Sequence, residues 1–254
     1  KDDVLKLIIK ISEGSVRDAL SLLDRALISI EKGSELDLLT AQKIFGSFDK
    51  DKFEELAVLN QYRGHEAWSA THFRTGAFKN YRDGETVEVM QLRTGYFEYP
   101  PYTVEVFAKD DPVLYKTYYL GHVQAPTTQS IDTHPSEILG DLLWHNGIIK
   151  DYQVKEWQEE YGNKEWDTEL LHRHIILGGK LDDVDGTFSC ARYDKKHIYL
   201  FRNEISPLFY DKDLNISSTE FENTEETEAG VMYKMNLHDR DLEVMYRFET
   251  KENP

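Results

Sequence analysis

This chain of 254 residues has one cysteine, Cys190, so it can close no internal disulfide and build no cysteine zinc cluster. A reducing compartment, the cytoplasm, is the expected home. Positive charge is scarce: 30 Lys and Arg stand against 47 Asp and Glu, a formal charge of −17. Such a surface lacks the basic footprint that a nucleic-acid backbone demands, so no nucleic-acid partner is expected. Long hydrophobic runs are missing too, since charges break every apolar stretch within a few residues. The start, Lys1-Asp2-Asp3, also lacks the basic-then-apolar layout of a secretion signal, and no membrane partner is expected. There is no phosphate loop of the form G-x-x-x-x-G-K-[ST], no internal repeat and no low-complexity linker. Opening on lysine rather than methionine, the chain reads as a fragment, a processed product or an incomplete reading frame.

What is present changes character near residue 44. Before it, Val4, Leu5, Ile8, Ile9 and Ile11 approximate a 3.6-residue period that ends at Gly14. Ser15-Val-Arg-Asp18 then has the form of an N-terminal capping box, and Ala19, Leu20, Leu22, Leu23, Ala26, Leu27 and Ile30 make a broad apolar face up to Gly33. Two helices this short need a partner surface. Beyond residue 44, runs of β-formers separated by turn residues predict strands at 86–92, 102–107, 113–120, 188–193, 197–202, 231–235 and 242–248. Helical stretches are predicted at 50–60 and 149–161, and the acidic stretch Glu220–Glu228 reads as a solvated loop. Many strands with a few helices, out of strict alternation, indicate a layered α+β fold.

Two resemblances follow from the motifs. Ser12-Glu-Gly-Ser-Val-Arg-Asp-Ala-Leu-Ser-Leu-Leu-Asp-Arg25 resembles the lid of the bacterial clamp-loader ATPase, the gamma/tau subunit of DNA polymerase III, over about forty residues. The resemblance makes Arg17 the arginine that reaches ATP. With no phosphate loop in the chain, the competing reading of Arg17 is an arginine at a helix start beside its own Asp18. If the lid is used at all, residues 1–40 are expected to meet clamp-loader subunits.

The remainder carries an ordered series: Ile44-Phe-Gly-Ser, Tyr62-Arg-Gly-His, Gly121-His-Val-Gln-Ala-Pro-Thr, Thr133-His-Pro, Trp144-His-Asn-Gly-Ile-Ile, Trp166-Asp-Thr-Glu, Asp185-Gly-Thr-Phe-Ser, Phe201-Arg-Asn-Glu-Ile-Ser-Pro-Leu and Ile216-Ser-Ser. Over about residues 44–221 this series resembles the glutaminase domain of class-II glutamine amidotransferases, which are N-terminal-nucleophile hydrolases. The resemblance implies an αββα sandwich, two antiparallel sheets between helical layers, over residues 44–254, after a helical segment at 1–43. It implies hydrolysis of the glutamine amide by an N-terminal cysteine whose own α-amino group is the base. It makes the Asn146 side-chain amide and the Gly147 backbone N–H the oxyanion donors, and it places Asp167, Gln124 and Arg63 at substrate-binding positions, Asp167 accepting the α-ammonium. Read without the family, Asn146-Gly147 is equally a tight turn and Asp167 a helix N-cap. His122, His134 and His145 look like a metal trio, but the resemblance makes them structural. No metal and no cofactor are expected.

The series breaks at its first step. Aligning Ile44-Phe-Gly46 with the family's start puts Gln42 where the nucleophilic cysteine belongs and Lys43 where glycine belongs. Even a cysteine there would follow forty-one residues, its nitrogen held in a peptide bond. Cys190 falls inside a predicted buried strand, where a thiol serves as a small apolar filler. Gln124 also replaces the arginine that would grip the glutamine carboxylate bidentately. Residues 41–50 fit either resemblance, as if a glutaminase frame had been joined to a clamp-loader fragment there. The sequence therefore supports an inactive glutaminase-like domain, with a non-enzymatic interaction module as its rival.

Overall fold

The computed structural model describes residues 2–12, 16–29, 35–36, 41, 50–60, 67–75, 87–94, 116–124, 132–162, 164–212, 214–236 and 242–251. Helices α1 (Asp2–Ser12) and α2 (Val16–Ser29) form a hairpin closed by Val4, Ile8, Leu22 and Ala26, with Ala41 completing its core. Helix α3 (Lys50–Asn60) follows, matching its predicted range. Strands β1 (Ala67–Thr75), β2 (Val87–Thr94) and β3 (Lys116–Gln124) make a sheet ordered β2-β1-β3.

The larger sheet runs β12-β11-β7-β6-β5-β4. It is built from β4 (Ser136–Ile138), β5 (Asp141–Ile149), β6 (Gly186–Tyr193), β7 (His197–Arg202), β11 (Val231–Asn236) and β12 (Leu242–Arg247). Between β5 and β6 stand helices α4 (Asp151–Tyr161) and α5 (Asp167–Ile176) and a 3₁₀ turn at Leu181–Asp183. A third, short sheet pairs β8 (Phe209–Tyr210) with β9 (Ile216–Ser217) on one side and β10 (Glu225–Glu226) on the other. Strand pairing is antiparallel throughout the described residues. The fold is therefore mixed α+β with antiparallel sheets and a few helices.

The six-stranded sheet is covered on both faces. On one, Leu143, Phe188, Cys190, Phe201 and Met232 pack against Trp157 of α4 and Leu170 and Leu171 of α5. On the other, Leu142, Trp144, Ala191, Leu200 and Met235 form a second core, on which Leu120 of β3 packs. This double burial explains the uninterrupted Leu142-Leu143-Trp144 run: side chains alternate between faces, and both faces are dry. Helix α3 packs on β3. Its last residue clasps the far loop, Asn60 Nδ2 donating to Ser217 Oγ at 2.8 Å and Asn60 Oδ1 accepting from Ser218 and Thr219 at 2.9 and 3.0 Å.

Several expectations need correction. Ile149 ends β5 and does not begin a helix, so α4 starts at Asp151. Asn146-Gly147 lies within β5, paired with Ser189 and Phe188, and is not a turn. Asp167 is the first residue of α5, whose N-cap position is taken by Trp166. The acidic stretch 220–228 is more than a solvated loop: 225–226 form β10, Glu226 pairs with Arg202 at 3.0 Å, and Glu228 pairs with Arg247. Strands β1 and β5 and helix α5 were not among the predicted elements. The strand predicted at 102–107, the Gly14 terminus and the Ser15 cap lie outside the described residues.

A buried polar cluster fixes the start of β5. Asp141 accepts from Arg192 through Nε at 3.0 Å and Nη2 at 2.7 Å, and from His172 Nε2 at 2.9 Å. His172 is fully buried, and its Nδ1 meets Ser136 Oγ at 3.0 Å. Burial alone would raise the Asp141 pKa, but the hydrogen bonds from His172 and Arg192 and the Arg192 charge hold it below the ordinary carboxylate value. A carboxylate with a depressed folded pKa gives stability that is complete above its unfolded pKa and is lost as pH falls through the folded value. Asp141→Asn should lower stability near neutral pH by about 3 kcal/mol. The gap between wild type and variant should close below about pH 4, which urea unfolding at neutral and acid pH measures.

Candidate functional site

The end of β5 and the start of α5 bring together residues that lie far apart in the chain. The Asp167 carboxylate, 4% exposed, accepts the backbone N–H of Ile149 through Oδ2 at 3.2 Å and that of Thr168 through Oδ1 at 2.8 Å. The first turn of α5 is thereby tied to the strand that carries Asn146 and Gly147. A carboxylate has about four lone-pair sites, so two backbone donors leave Asp167 capacity to accept from a cation.

Next to it, the Thr168 hydroxyl sits between two histidines, 3.2 Å from His134 Nε2 and 3.2 Å from His145 Nδ1. The other nitrogen of His145, Nε2, is 3.1 Å from the Thr187 carbonyl oxygen. His134 is also stacked on His122 of β3, with ring centroids 3.8 Å apart, and meets the edge of Trp166 at 5.0 Å. The three histidines thus form a stacked pair and a hydroxyl-bridged pair. Both nitrogens of His145 are occupied by hydrogen bonds, and no group of metal-ligating side chains occurs among the described residues.

Gly147 lies directly against the His145–Thr187 contact. A Cβ at this position would stand 1.9 Å from the Thr187 carbonyl oxygen and 2.8 Å from His145 Nε2, so no side chain fits. On its other side, the Ile148 N–H donates to Thr187 Oγ1 at 3.0 Å. Asn146 and Gly147 are half-buried. By strand alternation Asn146 shares the face of Trp144, the face on which β3 packs. Gln124 is the last residue of β3, paired with Ala67. Gln42 and Arg63 lie outside the described residues, as does the side chain of Arg17, a residue of α2.

Other motif residues are staples. Asn203 accepts from the Phe188 N–H at 3.2 Å and donates to the Gly186 carbonyl at 2.7 Å. The buried Arg202 guanidinium donates to the Thr227 and Asn203 carbonyls and pairs with Glu226. Asp185 pairs with Lys150 at 3.0 Å and accepts from the Tyr152 hydroxyl. Burial would raise its pKa, but these partners hold it below the ordinary value. Cys190 is buried in β6, and burial, with the negative charge of Asp167 adding, pushes its thiol well above the ordinary value. A thiol held protonated and away from solvent is no nucleophile.

The chain is similar in structure to class-II glutamine amidotransferase domains. Against the glutamine phosphoribosylpyrophosphate amidotransferase of B. subtilis, crystallised with ADP and GMP, the TM-score is 0.44 at 18% identity, covering 76% of this chain and 45% of that one. A structure described as the allosteric regulatory enzyme of purine biosynthesis gives 0.45 at 18% identity, covering 76% and 44%. A class-II domain protein from Silicibacter pomeroyi gives 0.43 at 15% identity, covering 70% of this chain and 98% of that one. This chain spans less than half the length of the first two. No protein-family model and no curated protein sequence matches it. The roles of individual residues therefore rest on the motifs and on the geometry above.

Thr168 and Thr187 were not singled out from the sequence, although each lies inside a quoted motif. The one available signal was their position beside Asp167 and Gly186. If Gly147 is sterically obligatory, Gly147→Ala must break the His145–Thr187 bond and push β5 off β6. The expected cost is about 3 kcal/mol, a fall in Tm of about 6–9 °C for a chain of this size, readable by thermal denaturation.

Proposed function

We propose that residues 44–254 form a class-II glutaminase-like domain that keeps the frame for holding glutamine but lacks the nucleophile. One observation carries this reading. His134 of the x-H-P motif, His145 of the H-N-G motif and Thr168 of the x-D-T-E motif meet at one hydroxyl. Three motifs picked out by their order in the chain are thus one cluster in space. In this reading the Asn146 amide and the Gly147 N–H face the oxyanion, and Asp167 takes the α-ammonium of glutamine. The motifs assign Gln124 and Arg63 to substrate binding as well, with Gln124 a weak replacement for the arginine that would grip the carboxylate. The layering belongs to the same proposal: α3, the β2-β1-β3 sheet, the six-stranded sheet, then α4 and α5, an αββα sandwich.

Loss of a nucleophile alone costs on the order of a millionfold in turnover. Ammonia release from glutamine by the chain as it stands should remain at background. L-Glutamine should still bind weakly, in the millimolar range or above, and Asp167→Asn should abolish the saturation-transfer NMR signal of that binding. Turnover that survives Cys190→Ala would show that Gln42 has been wrongly aligned. A wild-type protein that gives no glutamine signal would remove the site and leave only the fold.

A second reading rests on the helical hairpin. Its outer face exposes Leu5 (50%), Ile9 (67%), Val16 (74%), Leu20 (59%) and Leu27 (67%), more bare apolar surface than a solvated helix pair needs. This face suits the interaction module, with residues 1–40 docking on a clamp-loader subunit. Co-purification of the full chain with clamp-loader subunits, lost in an Ile9→Glu, Leu20→Glu double variant, would support it. No co-purification would dismiss it.

A further inference from the structure

We infer that Thr168 is the positioning residue of this site: its hydroxyl donates to His145 Nδ1, seats the ring so that Nε2 meets the Thr187 carbonyl, and so holds the β5 edge at Gly147 in place. The consequence for glutamine rests on the reading above, whereas the hydrogen-bond logic stands without it.

That logic starts from the end of the chain of contacts that admits one polarity. The Thr187 carbonyl can only accept, so His145 Nε2, 3.1 Å away, must carry the hydrogen. In the neutral ring Nδ1 is then an acceptor, and the group that faces it at 3.2 Å is the Thr168 hydroxyl. A hydroxyl has one proton to give. Once Thr168 gives it to His145, its oxygen can only accept from His134 Nε2, also 3.2 Å away. The donors therefore run one way: His134 N–H to Thr168, Thr168 O–H to His145, His145 N–H to Thr187. His145 is 3% exposed and Thr168 1% exposed, so water cannot take over either bond.

Thr187 passes the constraint on to the site. Its carbonyl takes His145 and its hydroxyl takes the Ile148 N–H at 3.0 Å, so one residue of β6 holds β5 on both sides of Gly147. The lack of room for a Cβ at Gly147 means that this clasp closes directly over its Cα. If Thr168 lost its hydroxyl, the Thr187 carbonyl would still demand the proton on Nε2, but the Nδ1 lone pair would be buried with no donor. An orphaned acceptor lets the ring turn away from its seat, the His145–Thr187 bond loosens, and the strand edge at Gly147 is released.

Nuclear magnetic resonance on the full chain tests this, using ¹⁵N-labelled histidine and glycine with Thr168→Val, which keeps the shape without the hydroxyl, and Thr168→Ser, which restores the hydroxyl. In the wild type the ring nitrogens of His145 should report the Nε2–H form. Thr168→Val should shift both those nitrogens and the Gly147 amide while leaving the Gly230 amide unmoved, and Thr168→Ser should return both to wild-type positions. Glutamine titrated against the same samples should bind at least about tenfold more weakly to Thr168→Val and normally to Thr168→Ser. A folded Thr168→Val with unchanged His145 and Gly147 signals overturns the inference, as does a serine variant that restores neither. Should Thr168→Val fail to fold, the wild-type Nδ1 signal of His145 decides: the upfield-shifted position of an unprotonated nitrogen that accepts a hydrogen bond supports the inference, and a protonated or unbonded Nδ1 overturns it. A wild type that ignores glutamine but shows the tautomer and amide shifts defeats the glutaminase reading and leaves this inference standing.

Discussion

Strand β5 is buried on both faces from Leu142 to His145 and again at Ile149, so a polar group there cannot turn to water and needs a fixed partner within the protein. That requirement decides where α5 goes. The Ile149 N–H is met by Asp167 and the His145 ring by Thr168, both in the first turn of α5. At the other end of β5, Asp141 is met by His172, one turn further along the same helix. With both ends of β5 pinned to α5, Leu170 and Leu171 have one place to go, against Leu143 and Phe188. The apolar core supplies most of the stabilisation. The buried polar pairs remove the freedom of α5 to slide along the sheet.

The elements that were legible in the sequence are unbroken runs of β-formers or helix-formers with no turn-like pair inside them. Helix α3 and strands β7 and β11 stand within a residue of where periodicity and β-formers put them. Strand β5 escaped because burial on both sides erases the alternation by which a strand is recognised, and because Asn-Gly in isolation reads as a turn. Helix α5 escaped for the opposite reason. Its inward face carries Thr168, His172 and His174 among the leucines, polar residues that look solvent-facing until their partners are known. Strand β1 carries Ser69 and Thr71 at buried positions, which masks its period in the same way.

Candidate residues could be named from the sequence, but not the contacts that hold them. Asn146, Gly147 and Asp167 could be named from their motifs, and the structure places them on β5 and on the first turn of the helix tied to it. What no sequence pattern conveyed was the role of hydroxyls. Thr168 and Thr187 are small residues inside motifs whose neighbours draw the attention, and a hydroxyl shows its function only when the groups on either side of it are in place. The histidines illustrate the converse. Three of them at suggestive spacing invite a metal, yet the ring nitrogens of His145 are spent on a threonine hydroxyl and a backbone carbonyl.

This double use of motif residues bears on how much the motifs say about chemistry. Asp167 would hold an ammonium in a working glutaminase, but here it also satisfies two backbone N–H groups whose loss would unseat α5. Gly147 would donate to an oxyanion, but it is also the residue that leaves room for the His145–Thr187 bond. Arg202 and Asn203 belong to the series and hold mainly backbone groups, with the Thr227 hydroxyl and the Glu226 ion pair beside them. Such residues are required by the fold whether or not the reaction is run, so their presence argues for the architecture more strongly than for the activity. Gln42 and Gln124 carry the opposite information. On the proposed reading, a nucleophile and a carboxylate-gripping arginine hold no strand in register, so a domain could lose both and still fold. On that reading Gln42 and Gln124 stand at positions where chemistry, and not packing, would have dictated the residue.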